Sequence, residues 1–493
     1  MQSAISETTR EARPWWSWLV PSLGQWLWLI LLLVLLAQPW RTAMVAADGD
    51  ACMHWRVGEW MLQTGKIIRA DVFSHTRFGQ PIISKEWLAE IPFGLAGRVG
   101  GLYGLGVVAA LLIATTFALL HRQLLREGND IVMATIVTLL AAWAASTHWL
   151  ARPHVLSFLM ALLWNDTLRR YERNRRTLAL AATLSLLTLF WVNLHGAFLA
   201  GFTILGAYWL GAIIERDYRK VEVLSGVALL CAVTSLCNPN GYKLHLHNLR
   251  FLHSSFLTGW LAEYSSSNFH SVSSIGFLIW LALLFFMFVL KRPRISPSAA
   301  ILLLSWGYFA LYAARNISLF AILTAPIVAT SLSENVRGKW REISARVRQM
   351  HDASCGWPVV AAVAVVAIAF VPRPTEMPPK DWPVGAVTFI KTHDQQFSGN
   401  MFNQYAWGGY LMQYLPDHKV FVDGRADFYG EELLREFSDT TALRTNWTQV
   451  LQKYDVSWTL MPTDHRLNLA LAMLPSWHCA YSDEVATVFC KVE

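Results

Sequence analysis

The stretch "DGDACMHWR", residues 48–56, places two carboxylates, an imidazole and a guanidinium directly after the first long apolar segment of the chain. A carboxylate can act as a general base on a hydroxyl group. A guanidinium presents paired N–H donors that suit the oxygens of a phosphate. Asp48 and Asp50 are therefore the two candidate bases. Because these residues follow an apolar segment, we expect their chemistry at a membrane surface.

Residues of the same kinds recur in other segments that separate apolar runs, and each is a candidate substrate ligand. They are His54, Arg56 and Glu59; Lys85 and Glu86; Arg152 and His154; Asn193 and His195; and Arg315 and Asn316. Polar residues collect at helix ends in any membrane protein, and this simple explanation accounts for any single loop. It accounts less well for the concentration of histidines and asparagines on one face, which the topology below predicts. A shared site on that face is therefore expected.

The elements that position these residues are predicted to be membrane-spanning helices. With 54% hydrophobic and only 15% charged residues, the sequence is too apolar for a typical soluble protein. Two of the apolar runs, 154–168 and 316–332, are short enough to be tilted or partly embedded helices. The eleven predicted spans lie at roughly 22–40, 101–121, 131–149, 154–168, 177–194, 197–214, 221–237, 273–291, 298–313, 316–332 and 357–372.

The distribution of Lys and Arg predicts the orientation of these spans. Alternate loops such as "RRYERNRR" and "VRGKWREISARVR" are strongly basic, whereas "HWLARPH", "NLHG" and "ARN" hold two basic residues between them. By the positive-inside rule the N-terminus is cytoplasmic, and everything after Val371 is extracytoplasmic. We expect a multi-pass protein of a bacterial inner membrane. The same bias explains the net charge of +7 without a nucleic-acid partner.

Two domains are predicted: a transmembrane domain, 1–372, and a small extracytoplasmic α/β domain, 373–493. The outer loop 41–100 should contain two interfacial helices. The first is 51–64, with Asp50 as its N-cap, and the second runs from Lys85 to Arg98, capped by Ser84.

The C-terminal domain is predicted from alternating strand and helix patterns. "KVFVDGR" and "VSWTLMP" are strand-like, "PVGAVTFIKTH", "GEELLREFSDTTALR" and "NWTQVLQKY" are helical, and a hairpin closes the chain. Cys479 and Cys490 flank the hairpin and are either bonded across it or free.

This layout resembles that of the GT-C glycosyltransferases, integral membrane enzymes that use polyprenyl-phosphate sugars. "DACMHWR" is similar to the pattern of oligosaccharyltransferase catalytic subunits: Asp, three residues, Asn or His, an aromatic residue and Arg. "YAWGGYLMQYLPDHKVFVDG" resembles the segment, rich in Trp and Gly, that opens their outer domain. The resemblance implies a mainly α-helical GT-C fold with Asp50 in the catalytic acid position and Arg56 in the arginine position.

Two departures from the family pattern limit what the resemblance implies. Oligosaccharyltransferases carry a second acidic motif that helps to hold a divalent metal, but here that loop reads "HWLARPHVLS", with Arg152 and His154. Trp407 stands near the place of the aspartate that reads the acceptor sequon. Transfer to asparagine is therefore not expected. No cofactor is predicted, and a divalent metal stays open as the alternative. The cationic loops resemble more closely the metal-free, lipid-linked protein mannosyltransferases.

The predicted activity is transfer of a hexosyl or pentosyl group from a polyprenyl-phosphate carrier to an extracytoplasmic glycan, lipid or protein, by single displacement with a carboxylate base. A lipid-linked polysaccharide polymerase or ligase would use the same donor chemistry. A glycan flippase would require polar residues deep in the spans, whose middles are nearly free of charge. A non-catalytic scaffold with a GT-C-like fold is the remaining alternative.

Overall fold

The computed structural model describes residues 15–47, 49–371 and 376–492, and these are mainly helical. Up to residue 371 the α-helices are α1 Leu23–Leu36, α2 Trp40–Ala46, α3 Asp50–Thr64, α4 Trp87–Arg126, α5 Ile131–Ala145, α6 His154–Asn174, α7 Thr177–Leu194, α8 Leu199–Ile214, α9 Tyr218–Thr234, α10 Tyr242–His253, α11 Ser255–Trp260, α12 Ile275–Phe286, α13 Pro297–Tyr312, α14 Ile317–Ser333, α15 Lys339–Ala353 and α16 Trp357–Phe370.

The C-terminal domain alternates short helices with four strands. Its helices are α17 Val384–Thr392, α18 Gly408–Tyr414, α19 Ala426–Thr441, α20 Trp447–Lys453 and α21 Arg466–Ala472. Its strands are β1 Asn400–Asn403, β2 Val456–Pro462, β3 Trp477–Ser482 and β4 Ala486–Lys491.

The chain is a multi-pass membrane protein, but the predicted count of eleven spans is not confirmed. Each of the eleven predicted segments contains a helix. Among the described residues, six helical segments are long and apolar enough to cross a membrane, or up to eight if the bent pairs α1–α2 and α15–α16 each count as one. The difference has a physical cause: α13 has 16 residues, α6 ends in "TLRRYERN" and α9 begins with "YRKVE".

The centre of the helical domain is α14, which packs against α5, α13 and α6. Nearly every residue of α14 is buried. Ala321, Ala325 and Ala329 recur every four residues, and small side chains on one face allow neighbouring helices to approach closely. Because α14 starts directly after Arg315 and Asn316, this packing holds both residues in a fixed place.

The two helices of the first loop differ from their predicted boundaries. Asp50 is the first residue of α3, and Gly49, not Asp50, occupies the N-cap position. The predicted second helix is the first arm of α4, whose backbone breaks at Gly101, with φ +57°. Glu86 takes the N-cap position of α4, while the Ser84 hydroxyl donates a hydrogen bond to the Ile68 carbonyl instead. Asp48 lies outside the described residues.

The C-terminal domain contains a mixed sheet of order β1-β2-β4-β3, in which β1 and β2 are parallel and the other pairs antiparallel. The predicted helices, the strand "VSWTLMP" and the closing hairpin are confirmed. "KVFVDGR" is not a strand of this sheet, because its backbone pairs with the first loop. Val420 donates a hydrogen bond to the Phe73 carbonyl and accepts one from His75. The first loop and the C-terminal domain are thereby joined.

Both hairpin cysteines are free. Cys490 stands opposite His478 in the pairing of β3 and β4, and Cys479 stands opposite Phe489. Since neighbouring residues of a strand point to opposite faces, the two thiols face away from each other.

Candidate active site

A cavity of about 840 Å³ opens between the first loop, the starts of α6 and α14, the α10–α12 segment and the C-terminal domain. It brings together nine of the predicted site residues from five separate parts of the chain. They are Asp50, His54, Lys85, Glu86, Arg152, His154, His195, Arg315 and Asn316.

Three of the predicted ligands do not line this cavity. Arg56 and Glu59 contact each other on a different side of α3 from Asp50, with 3.9 Å between Nη1 of the first and Oε2 of the second. Asn193 accepts a hydrogen bond from the Trp87 indole and donates to the carbonyl of Cys237. These three predictions of substrate contact are therefore not supported by the placement of the side chains.

The carboxylate of Asp50 lies at the N-terminus of α3, in contact with two other parts of the chain. Its Oδ2 is 3.0 Å from Nη1 of Arg152. The backbone of Gly424 lies so close that a Cβ there would be 2.7 Å from Cγ of Asp50. Burial raises the pKa of Asp50 to about 7; the nearby His54 opposes this shift, and the negative charges of Glu263 and Asp423 add to it. A carboxyl group that titrates near neutral pH is suited to general-base catalysis.

Arg152 also belongs to a cluster of cationic groups around Glu263. The Glu263 carboxylate is 3.0 Å from Nη1 of Arg315, 3.6 Å from Nε2 of His148 and 3.9 Å from Nη1 of Arg152. Burial alone would raise the pKa of Glu263, but the positive charges of Arg315, His148 and Arg152 lower it to about 2. Glu263 is therefore ionised throughout the physiological range.

A second charged cluster connects the first loop, α10 and the C-terminal domain. The Asp427 carboxylate accepts hydrogen bonds from Nζ of Lys85, at 2.5 Å, and from Nε2 of His247, at 2.7 Å. Burial opposes ionisation, but the charges and hydrogen bonds of Lys85 and His247 hold the pKa of Asp427 well below its usual range. The cluster fixes the C-terminal domain over the cavity.

The third cluster has the composition of a metal site. In the described part of the chain, ligand atoms of His54, Glu86 and Glu90 lie within 4.8 Å of one another. His54 also bridges the carboxylates by itself, since Nδ1 is 3.4 Å from Glu90 and Nε2 is 3.7 Å from Glu86. Burial disfavours the imidazolium, yet these carboxylates raise the pKa of His54. The three side chains could hold either a divalent cation or a proton.

The metal position implied by the oligosaccharyltransferase resemblance does not fit this chain. The loop that carries the second acidic motif in that family supplies Arg152, whose guanidinium is 3.0 Å from the Asp50 carboxylate. A cation next to Asp50 would be repelled by this guanidinium. Arg152 thus takes the place of a cation beside the candidate base.

The hydrogen bonds of the two histidines indicate their tautomers. Nδ1 of His195 accepts from the backbone N–H of Ala197, so Nε2 carries the proton and faces Glu86 at 3.5 Å. Nε2 of His154 donates to the carbonyl of His148 at 2.9 Å. Both imidazole rings are held by hydrogen bonds to the protein. His195 is neutral in this arrangement, and its Nε2–H points towards Glu86.

One wall of the cavity is apolar. It is formed by side chains of α10, α13 and α14, among them Phe251, Leu252, Trp306, Tyr308, Phe309, Tyr312 and Leu319. Tyr308 and Tyr312 are also exposed on the outside of α13. The cavity therefore continues from its charged end to the apolar surface of the helical domain.

Sequence reasoning missed several residues of the site, above all Glu263, Asp427 and His247, together with Glu90. For Glu263 a signal existed: it is the only acidic residue between Glu222 and Glu334. Asp427 gave no comparable signal, because acids are frequent in the C-terminal domain.

Comparison with known proteins gives a clear result for structure only. No family model and no curated protein sequence matches the chain. The oligosaccharyltransferase AglB from Archaeoglobus fulgidus, solved in complex with an inhibitory peptide and a dolichol-phosphate, matches with a TM-score of 0.61 and 12% identity, over 97% of this chain and 75% of that one. ArnT from Cupriavidus metallidurans, bound to undecaprenyl phosphate, matches with a TM-score of 0.53 and 15% identity, over 96% and 99%.

An apo structure of the Archaeoglobus fulgidus oligosaccharyltransferase also matches, with a TM-score of 0.55 and 14% identity, over 89% of this chain and 70% of that one. At these identities the comparisons establish the fold. The chain has the fold of the GT-C membrane glycosyltransferases, as the sequence predicted.

Proposed function

We propose that this protein is a glycosyltransferase that moves a hexosyl or pentosyl group from a polyprenyl-phosphate carrier to a hydroxyl of an extracytoplasmic acceptor. The observation that carries the proposal is the Asp50 carboxylate at 3.0 Å from Arg152 in a cavity that also has an apolar wall. One end of the cavity suits an anion and a hydroxyl, and the other suits an isoprenoid chain.

In the proposed reaction Asp50 removes the proton from the acceptor hydroxyl. The acceptor oxygen then attacks the anomeric carbon, and the bond from that carbon to the phosphate oxygen breaks. A single displacement of this kind inverts the anomeric configuration. The proton ends on Asp50, and the electron pair of the broken bond leaves with the polyprenyl phosphate.

Arg152 and Arg315 would stabilise the departing phosphate. Both guanidiniums lie beside the same carboxylate, Glu263, with Nη1 of Arg315 at 3.0 Å and Nη1 of Arg152 at 3.9 Å, so an anion between them would be near both. Donors fixed in advance around a developing charge are the main source of electrostatic catalysis.

The apolar wall would hold the isoprenoid chain of the donor. Phe251, Trp306 and Phe309 line the cavity beside its charged end, and the exposed Tyr308 and Tyr312 lead to the outer surface of α13. A lipid could therefore enter sideways from the bilayer. The two similar structures that contain dolichol-phosphate and undecaprenyl phosphate support a carrier of this chemical class.

The proposal includes the orientation expected from the basic loops. The N-terminus would be cytoplasmic, and the cavity and C-terminal domain would face the outside of a bacterial inner membrane. The donor phosphate would then meet its acceptor outside the cytoplasm.

The test uses the purified full-length protein in liposomes that contain lipid-linked sugars, assayed for both transfer and translocation. Transfer to an added acceptor supports the proposal, with Asp50→Asn as the inactive control. Translocation without transfer would show a flippase, and the absence of both would show a scaffold. Either result would contradict the proposal.

A further inference from the structure

Glu263 is an unexpected residue in a site that is proposed to bind phosphate, because its side chain is itself an anion. It belongs to the short turn Ala262–Tyr264 between α11 and α12. Its carboxylate contacts Arg315, His148 and Arg152 at 3.0 to 3.9 Å. Arg315 and Arg152 are the two residues that are proposed above to bind the departing phosphate.

A carboxylate and a phosphate use guanidinium groups in the same way. Both present pairs of anionic oxygens, and both accept the parallel N–H donors of arginine. Nη1 of Arg315 donates a hydrogen bond to Glu263 at 3.0 Å, and Nη1 of Arg152 lies 3.9 Å from the same carboxylate, so a phosphate that bound both arginines would have to take the position of that carboxylate. Two anions at this position would repel each other strongly in the partly buried cavity.

We propose that Glu263 is an internal substitute for the phosphate. It holds the arginines in their binding arrangement while the site contains no lipid phosphate, and it turns away when the donor binds. After transfer it returns and competes with the polyprenyl phosphate product, which promotes product release. This inference rests on the proposed function, because it requires that a lipid phosphate binds between the arginines.

The surroundings of Glu263 allow its side chain to move while the backbone stays in place. On one side of the turn, the Trp260 ring packs against Tyr405 and Phe437 of the C-terminal domain. On the other side, the carbonyl of Ser265 accepts a hydrogen bond from the backbone N–H of Ala314. The Glu263 side chain itself is 24% exposed and borders the cavity. A change of rotamer is therefore sufficient to exchange the anions.

Arg315 has a further contact that does not depend on Glu263. Its guanidinium lies over the ring of Tyr264, 4.5 Å from the ring centre. This cation–π contact keeps Arg315 in position when the carboxylate leaves. The neighbouring residue in the turn thus preserves the arrangement that the phosphate needs.

The experiment measures equilibrium binding and release of undecaprenyl phosphate by the full-length protein in detergent, with the uncharged polyprenol as the reference ligand. The variant is Glu263→Gln, which removes the competing charge and keeps the shape. The matched control is Glu484→Gln, an identical change at an exposed residue of the β3–β4 turn. We expect Glu263→Gln to bind the lipid phosphate about tenfold more tightly, equal to about 1.4 kcal/mol, and to release it more slowly. The control and polyprenol binding should not change.

The outcomes separate this inference from the proposed function. If the wild-type protein binds the lipid phosphate no better than polyprenol, the proposed function fails and the inference with it. If the wild-type protein does bind, and Glu263→Gln binds equally or more weakly, the inference alone is overturned and Glu263 has a structural role.

If Glu263→Gln does not fold, the variant Glu263→Asp, which keeps the negative charge, can be used instead. In Glu263→Asp the carboxylate is one methylene farther from the arginines. We expect binding tighter than wild type by a smaller factor. Unchanged or weaker binding would overturn the inference in the same way.

Discussion

Gly424 offers the sharpest structural test of the position of Asp50. A Cβ at residue 424 would lie 2.7 Å from Cγ of Asp50, whereas ordinary contacts start at 3.4 Å. The same Cβ would overlap Oδ1 of Asp50, so the Gly424→Ala substitution requires one of the two groups to move by more than about 1 Å, enough to impair a reacting geometry. The φ of Gly424 is not in the left-handed region, so alanine causes no backbone strain there.

The Asp50 side chain is the group expected to move. The backbone of residue 424 is held because Arg425 is paired with Asp71 of the first loop at 2.7 Å. Lys85 and Asp427 form a second connection between the same parts. A misplacement of about 1 Å between reacting groups can cost on the order of 10²-fold in rate. We therefore expect Gly424→Ala to reduce turnover roughly 10²-fold.

The assay is steady-state sugar transfer, with donor binding and thermal unfolding measured on the same preparations. The matched control is Gly259→Ala in α11, where a Cβ would meet nothing within 4 Å. This control should behave like the wild type. Turnover of Gly424→Ala within threefold of wild type, with an unchanged melting temperature, would refute the reasoning, because Asp50 would then not need its observed position.

Three further predictions follow from the site and the topology. Transfer should increase as the pH rises through about 7, because the raised pKa of Asp50 keeps the base protonated below that value and only the carboxylate accepts a proton; a kcat/KM that is flat from pH 5 to 9 would contradict this. Arg315→Ala should weaken donor binding by about 1.5–3 kcal/mol, the range for hydrogen bonds to charged groups, with partial rescue by lysine. A loss confined to the melting temperature would instead make Arg315 a structural residue. Reporters fused after Arg176 and after Met350 should be cytoplasmic and one after Glu493 external, and a cytoplasmic C-terminus would overturn the proposed orientation.

The fold was largely predictable from the sequence, because apolar runs and basic loops are local signals. Asp50 and His54, four residues apart in α3, both line the cavity, as expected for this spacing on a helix. The helices and the hairpin of the C-terminal domain also follow from local patterns. The count of eleven spans is not confirmed, because α13 is short and α6 and α9 carry charged ends.

The polar partners inside the site were harder to predict, because they depend on contacts between remote segments. Asp427 meets Lys85 across 342 residues of sequence. The segment around Val420 alternates like a strand of the domain sheet, yet it pairs with the first loop. Arg56 matches the family motif, but its position on α3 turns it away from the cavity. A sequence motif indicates which residue types are available for a site. Only the packing of the folded chain shows which of these side chains contact one another.

The central claim is that Asp50 is the base of a sugar transfer, and one substitution tests it most directly. Asp50→Asn keeps the size of the side chain at the start of α3 but removes its ability to take a proton. It is measured in folded, membrane-inserted protein beside Asp48→Asn, with a lipid-linked sugar as donor. We predict that transfer falls roughly 10²-fold or more for Asp50→Asn, the usual scale for loss of a general base, and less for Asp48→Asn, with donor binding retained in both. Near-normal turnover by Asp50→Asn would contradict the account.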